Sequence, residues 1–180
     1  MGKFECTCGF GRQTRFDSNR QIHVKRELRD DFVYICKKTG YREVRNPGFS
    51  QGRGTAYLVK NTTGETDPHF ILWNLIFDEI KKYTDKVEYS LTRGPDVVFT
   101  LDDGRRIAVE VEARKKTHDQ IMRKLEILKK YDDWFFVTTK SENKKRYQGY
   151  GPTFTRTHVR DVIAAYFGAE LSPKTKKEPE

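Results

Sequence analysis

The 180-residue chain is long enough for one ordinary domain and a small appendage. Hydrophobic residues make up 36%, with 12 Phe and 9 Tyr, which excludes global disorder, and no apolar run approaches the roughly 18 residues a membrane span needs. Lys plus Arg number 35 against 26 Asp plus Glu, so the net charge is +9 and a polyanionic partner is favoured over an acidic or apolar one.

The charge is layered along the chain. Residues 1–60 hold 13 basic and 6 acidic side chains, residues 61–113 hold 6 and 11, and residues 114–180 hold 16 and 9. An acidic centre between basic flanks suits a metal-dependent enzyme acting on a polyphosphate, although a solvated charged surface has the same composition. Met1-Gly2-Lys3-Phe4-Glu5-Cys6 lacks the apolar stretch of a secretory signal. Three Cys is an odd count, and Cys6 and Cys8 are one residue apart, which disfavours a disulfide framework. Together these features predict a cytoplasmic protein with no membrane partner.

In chain order, residues 1–45 read as a basic, Cys- and aromatic-rich module with β-rich character. Residues 46–55, rich in Gly with one Pro, read as a linker. A short strand over 56–60 then opens a core that runs to residue 170. Asp67-Pro68 starts a helix, and Leu72, Trp73, Ile76, Ile80 and Tyr83 recur at helical spacing to about residue 83. Strands follow over 87–91, 96–101 and 105–113. Thr117 with Gln120 makes a capping box for a helix to about 131, and Trp134–Thr139 is a fourth strand. Val159, Val162, Ile163, Tyr166 and Phe167 line a last helix, and Gly168 suits its C-terminal cap. Residues 171–180 have the composition of a disordered tail. The expected class is α/β, a mixed four-stranded sheet flanked by helices in the order αβββαβ.

Within this order one segment carries the chemistry. Glu110 and Glu112 are two apart on a strand and share a face. The turn decides whether Asp96 joins them. A two-residue Asp103-Gly104 loop pairs Asp96 with Val111, on the wrong face. A three-residue Asp102-Asp103-Gly104 loop pairs Asp96 with Glu110, and directly paired residues point the same way. Gly104 stands where a three-residue loop wants a left-handed residue, and this register also sets Val97 and Phe99 beside Val109 and Ile107. The three-residue loop is therefore expected, with Asp96, Glu110 and Glu112 in one acidic patch. Clustered carboxylates repel, and a hard divalent cation such as Mg²⁺ removes that penalty. Bound there, it polarises a phosphoryl oxygen and acidifies a water.

Pro95-Asp96 followed by Glu110-Val111-Glu112 resembles the PD-(D/E)xK nuclease superfamily, whose restriction-endonuclease-like core has the αβββαβ order. The likeness covers about residues 65–140. It implies a Mg²⁺- (or Mn²⁺-) dependent nuclease, with a DNA endonuclease favoured and Asp96 and Glu110 as metal ligands. Glu112 stands where such enzymes usually have Lys; in a nuclease it would position or deprotonate the attacking water. The departure keeps open a non-catalytic DNA-binding or regulatory relative, and Arg114 and Lys116 continue the same strand face. Holliday-junction resolvases share the Gly-Pro-Asp-Val start, which admits a junction substrate. A homodimer is compatible with this reading.

Auxiliary candidates are Glu79 and His69 on the first core helix and Gln120 on the helix after 117. Gln120 and Lys124 would face a backbone phosphate if that helix flanks the site. Lys116, Lys144, Lys145 and Arg146, with Arg12 and Arg15 of the N-terminal module, are candidate phosphate contacts. Phe4–Phe10 and Tyr34–Tyr41 resemble the two knuckles of a degenerate zinc ribbon, with Thr39 in place of a fourth Cys. Cys6, Cys8, His23 and Cys36 would then complete a Zn²⁺ set. The alternative is a metal-free module in which the Cys residues behave as small hydrophobes.

Overall fold

The structure, a computed structural model, describes residues 22–25, 30–46, 48–49, 54–90 and 94–169. Cys6, Cys8, Arg12, Arg15 and the expected tail over 171–180 lie outside the described residues. The chain divides into two compact units, residues 1–75 and 76–180. Among the described residues, no helix is long and apolar enough to cross a membrane.

The first unit contains β1 (Ile22–Val24), α1 (Asp30–Lys38), β2 (Arg42–Asn46) and β3 (Thr55–Val59). The three strands form an antiparallel sheet in the order β1-β3-β2. Two expectations differ here. Residues Tyr34–Cys36 are helical rather than part of a β-knuckle. Asp30 and Asp31 sit in the first turn and Lys37 and Lys38 in the last, which suits the helix dipole. Gly40, at φ +93°, closes the helix: Tyr41 N–H donates to the Cys36 carbonyl at 3.0 Å and Gly40 N–H to that of Lys37 at 3.4 Å. Residues 56–60, expected at the start of the core, belong to this sheet instead. Hence 46–55 joins two strands of one sheet rather than two domains. Gly54 lies against the Asn46 backbone at φ +77°, a close approach that suits a residue without Cβ.

Helix α2 (Asp67–Ile80) contains the division between the units, which falls after Leu75. Its sequence is apolar nearly all round, and Phe70, Ile71, Leu72, Trp73, Ile76 and Ile80 are buried.

The second unit holds β4 (Val87–Tyr89), β5 (Val97–Thr100), β6 (Arg106–Glu112), α3 (His118–Leu128), β7 (Asp133–Thr138), α4 (Ser141–Gln148), β8 (Thr153–Thr155) and α5 (Val159–Tyr166). Its sheet has five strands in chain order, not four. The β4–β5 and β5–β6 pairs are antiparallel, and β6–β7 and β7–β8 are parallel. Strand β8 escapes sequence detection because Thr-Phe-Thr is too short to show alternation. Helix α4 escapes because only Asn143 and Tyr147 of its eight residues are buried.

Strand parity assigns the faces. Val98, Ala108 and Phe136 pack with Ile121, Leu125 and Leu128 of α3 and Tyr147 of α4. On the opposite face, Phe99 and Phe135 meet Tyr166 of α5. Glu110 and Glu112 share parity with Ala108, so they face α3 and α4.

Candidate metal and nucleic-acid site

The hairpin register fixes the carboxylates. Val97 pairs with Val109, Val98 with Ala108, Phe99 with Ile107 and Thr100 with Arg106. Leu101 N–H donates to the Arg105 carbonyl at 2.9 Å, and Gly104 N–H to that of Leu101 at 3.0 Å. The loop is therefore Asp102-Asp103-Gly104, with Gly104 at φ +89°. One step beyond the last rung, Asp96 stands opposite Glu110. Its Oδ2 accepts the Val111 N–H at 2.6 Å. The hydrogen-bond pattern thus continues through a side chain where the main chain leaves the sheet at Gly94-Pro95.

Glu110 and Glu112 are only 3% and 1% exposed. Burying two carboxylates is expensive unless charge and hydrogen bonds compensate. The compensation comes from outside the strand. The Lys124 ammonium, on α3, ion-pairs with Glu110 Oε1 and lies 3.5 Å from Glu112 Oε1. Lys116 Nζ lies 3.2 Å from the same Glu112 oxygen. The Tyr147 hydroxyl lies 3.2 Å from Glu112 Oε2 and 2.9 Å from the Arg114 carbonyl oxygen.

Burial pushes the Glu112 carboxyl above the ordinary carboxylate range. Lys116 opposes this and the nearby Asp96 charge reinforces it. Burial, followed by the Glu112 charge, likewise pushes the Tyr147 phenol upward. The Tyr147 hydroxyl can donate its one proton to Glu112 Oε2 or to the Arg114 carbonyl. Tyr147 was not legible as a site residue, because its contact with Glu112 depends on where α4 packs.

The auxiliary residues separate. Glu79 pairs with Lys82 at 2.7 Å and with Arg160 of α5 at 3.1 Å, on the α5 side of the sheet. His69 Nδ1 lies 3.1 Å from Glu65 Oε2, which also accepts from Trp73 Nε1 at 3.0 Å. Gln120 serves as a helix cap. Its Oε1 accepts from Thr117 N–H at 3.0 Å, and its own N–H donates to Thr117 Oγ1 at 3.3 Å. Lys145 and Arg146 are exposed on α4 and Lys144 half-buried, while the Arg146 guanidinium donates to the Lys116 carbonyl. Of the expected zinc ligands, His23 is buried on β1 beside Tyr41, and Cys36 is buried with Val33, Tyr41 and Leu58. Burial pushes the Cys36 thiol up, toward its neutral form.

No family model matches the chain, and no curated protein matches it. A solved structure described as a repair endonuclease from Pyrococcus abyssi is similar over 56% of this chain at 19% identity, with a TM-score of 0.31. The similar region spans 50% of that structure's chain.

Proposed function

We propose that the protein is a Mg²⁺-dependent nuclease hydrolysing phosphodiester bonds, with DNA as the favoured substrate. The observation that carries this reading is the hairpin register. It sets Asp96 opposite Glu110, with Glu112 two residues further on the same face. An all-carboxylate donor set fits a hard, oxygen-preferring ion better than a soft one. Asp96 and Glu110 would hold Mg²⁺ or Mn²⁺. When bound, the ion would polarise the phosphoryl group and offset the negative charge that builds up there.

The remaining chemistry falls to the chain's own side chains. A water oxygen attacks phosphorus, the bond to the leaving sugar oxygen breaks, and that oxygen takes a proton from solvent. Glu112 orients the water and accepts its proton, a role helped by the raised affinity of its carboxyl for protons. Lys116, Lys144, Lys145 and Arg146 contact the backbone and place the scissile phosphate.

The test is cleavage of single-stranded, duplex, flap and four-way-junction DNA, and of RNA, with Mg²⁺ or Mn²⁺ and with chelator. Metal-dependent strand scission that disappears in Glu110→Gln supports the reading. One observation favours a second reading, a DNA-binding protein without catalysis: Lys116 and Lys124 already balance the two glutamates without any ion. Tight, salt-sensitive DNA binding with no scission on any substrate would select it.

A further inference from the structure

A helix packed on a small sheet needs one apolar face, and α1 has two. Val33 and Cys36 are buried with Tyr41 and Leu58. At about 3.6 residues per turn, Tyr34 and Ile35 fall on the opposite side of the helix. They are 63% and 46% exposed, and they are the exposed large hydrophobic residues among the described residues of the first unit. The inner pair accounts for the packing of the helix, and the outer pair lies outside that packing. Two adjacent apolar side chains held toward water on a helix suit a partner.

The charges around this pair are sorted along the helix. Asp30 and Asp31 stand in the first turn, Lys37 and Lys38 in the last. Lys37 lies 3.2 Å from Glu43. Lys38, one turn beyond Tyr34, places its ammonium 5.5 Å from the centre of the Tyr34 ring. A flat aromatic ring with a cation beside it is thus presented to solvent. The ring fits the face of a planar heterocycle, and the ammonium fits a phosphate. The charge of the segment selects the partner: residues 1–60 hold 13 basic and 6 acidic side chains, which complements a polyanion. Bases inside a duplex are stacked on one another, whereas unpaired bases have a face to offer an aromatic ring.

We propose that the outer face of α1 binds single-stranded nucleic acid. An unpaired base stacks on Tyr34 with Ile35 flanking it, and a neighbouring phosphate meets Lys38. This binding needs no metal ion and no hydrolysis. It goes beyond the nuclease reading above and stands whether or not the Asp96 face cleaves.

The test measures binding of the full chain, without added divalent ion, to fluorescent oligothymidylate and to an abasic oligomer of equal length. The abasic oligomer keeps the phosphates and lacks the bases. Tyr34→Leu keeps apolar bulk at an exposed position, so its unfolding midpoint stays with wild type, while its affinity for oligothymidylate falls by about 5- to 150-fold. Its affinity for the abasic oligomer is unchanged. Tyr34→Phe keeps the flat ring and binds both oligomers as wild type does. Should Tyr34→Leu unfold early, Lys38→Met carries the test: it flattens the salt slope with both oligomers by about 0.7 for each phosphate no longer neutralised. Wild-type affinity for oligothymidylate in folded Tyr34→Leu, an equal loss on both oligomers, or an unchanged slope in Lys38→Met would overturn the inference. So would a wild type that binds neither oligomer. Self-association of wild type that Tyr34→Leu abolishes, with oligothymidylate binding intact, would give the face to a second copy of the chain instead.

Discussion

Asp96 has two separable jobs, and substitution can split them. Its Oδ2 accepts the Val111 N–H at 2.6 Å, and its charge acts on Glu112. Val111 is fully buried, so Asp96→Ala leaves an amide without an acceptor and without water. That costs about 1–3 kcal/mol, partly offset by relief of repulsion among the carboxylates. For a chain of this size, 1 kcal/mol moves the unfolding midpoint by about 2–4 °C, so Asp96→Ala should lower it by about 2–12 °C. Asp96→Asn keeps an acceptor oxygen and sheds the charge. It should unfold within about 2 °C of wild type, yet lose metal-dependent cleavage as completely as the alanine variant. Differential scanning calorimetry in chelator and a cleavage assay in Mg²⁺ read the two jobs independently. If Asp96→Asn unfolds as early as Asp96→Ala, the hydrogen bond to Val111 is not what stabilises the hairpin end. If it cleaves DNA, Asp96 is not a ligand.

Three further outcomes follow from the same geometry. A Cβ on Gly151 would lie 2.1 Å from Trp134 Cη2, so Gly151→Ala should overpack the β7–β8 junction and destabilise by about 1–3 kcal/mol; an unchanged unfolding midpoint would contradict that packing. Burial raises the Glu112 carboxyl pKa, so between the ordinary carboxylate range and the raised value the folded protein binds more protons than the unfolded chain, and stability falls as pH rises through that window. Glu112→Gln mimics the protonated form, so in chelator its midpoint should gain on wild type as pH rises above the ordinary carboxylate range, and parallel curves would refute the argument. Lys144→Ala with Lys145→Ala, leaving Arg146 on the Lys116 carbonyl, should weaken DNA binding and flatten the salt slope by about 0.9 for each phosphate no longer neutralised; an unchanged slope would remove α4 from the interface.

The carboxylate hairpin was legible because two local rules agree. The side-chain period of two and the Gly104 turn together admit one register that also gives a consistent apolar face. The helix over α3 was legible from its capping box, and α5 from its apolar stripe and Gly168. The Lys124 contact was only half legible. Its place beside the apolar stripe of α3 could be read from the sequence. Which sheet face that helix covers depends on the parallel β6–β7 crossover, a long-range pairing.

The fifth strand and α4 were hidden for a different reason: three residues of Thr-Phe-Thr and eight mostly polar residues hold too little periodicity to register. In the first unit, Cys36 drew attention to a metal motif, while the stronger local signals were Asp30 and Asp31 at the start and Gly40 at the end of a short helix. Strand β3 was assigned to the core because the Gly-rich stretch before it, 46–55, reads as a linker rather than as the connection between two paired strands. The division between units falls inside α2, where one continuous helix leaves no mark of it.

The central claim is that the Asp96–Glu110–Glu112 face holds a divalent ion. Calorimetric titration of Mn²⁺ into wild type and Glu110→Gln tests it most directly. The account predicts saturable binding to wild type that competes with Mg²⁺ and is abolished or greatly weakened in Glu110→Gln, with the variant still folded. No binding to wild type, or equal binding to both proteins, would contradict it.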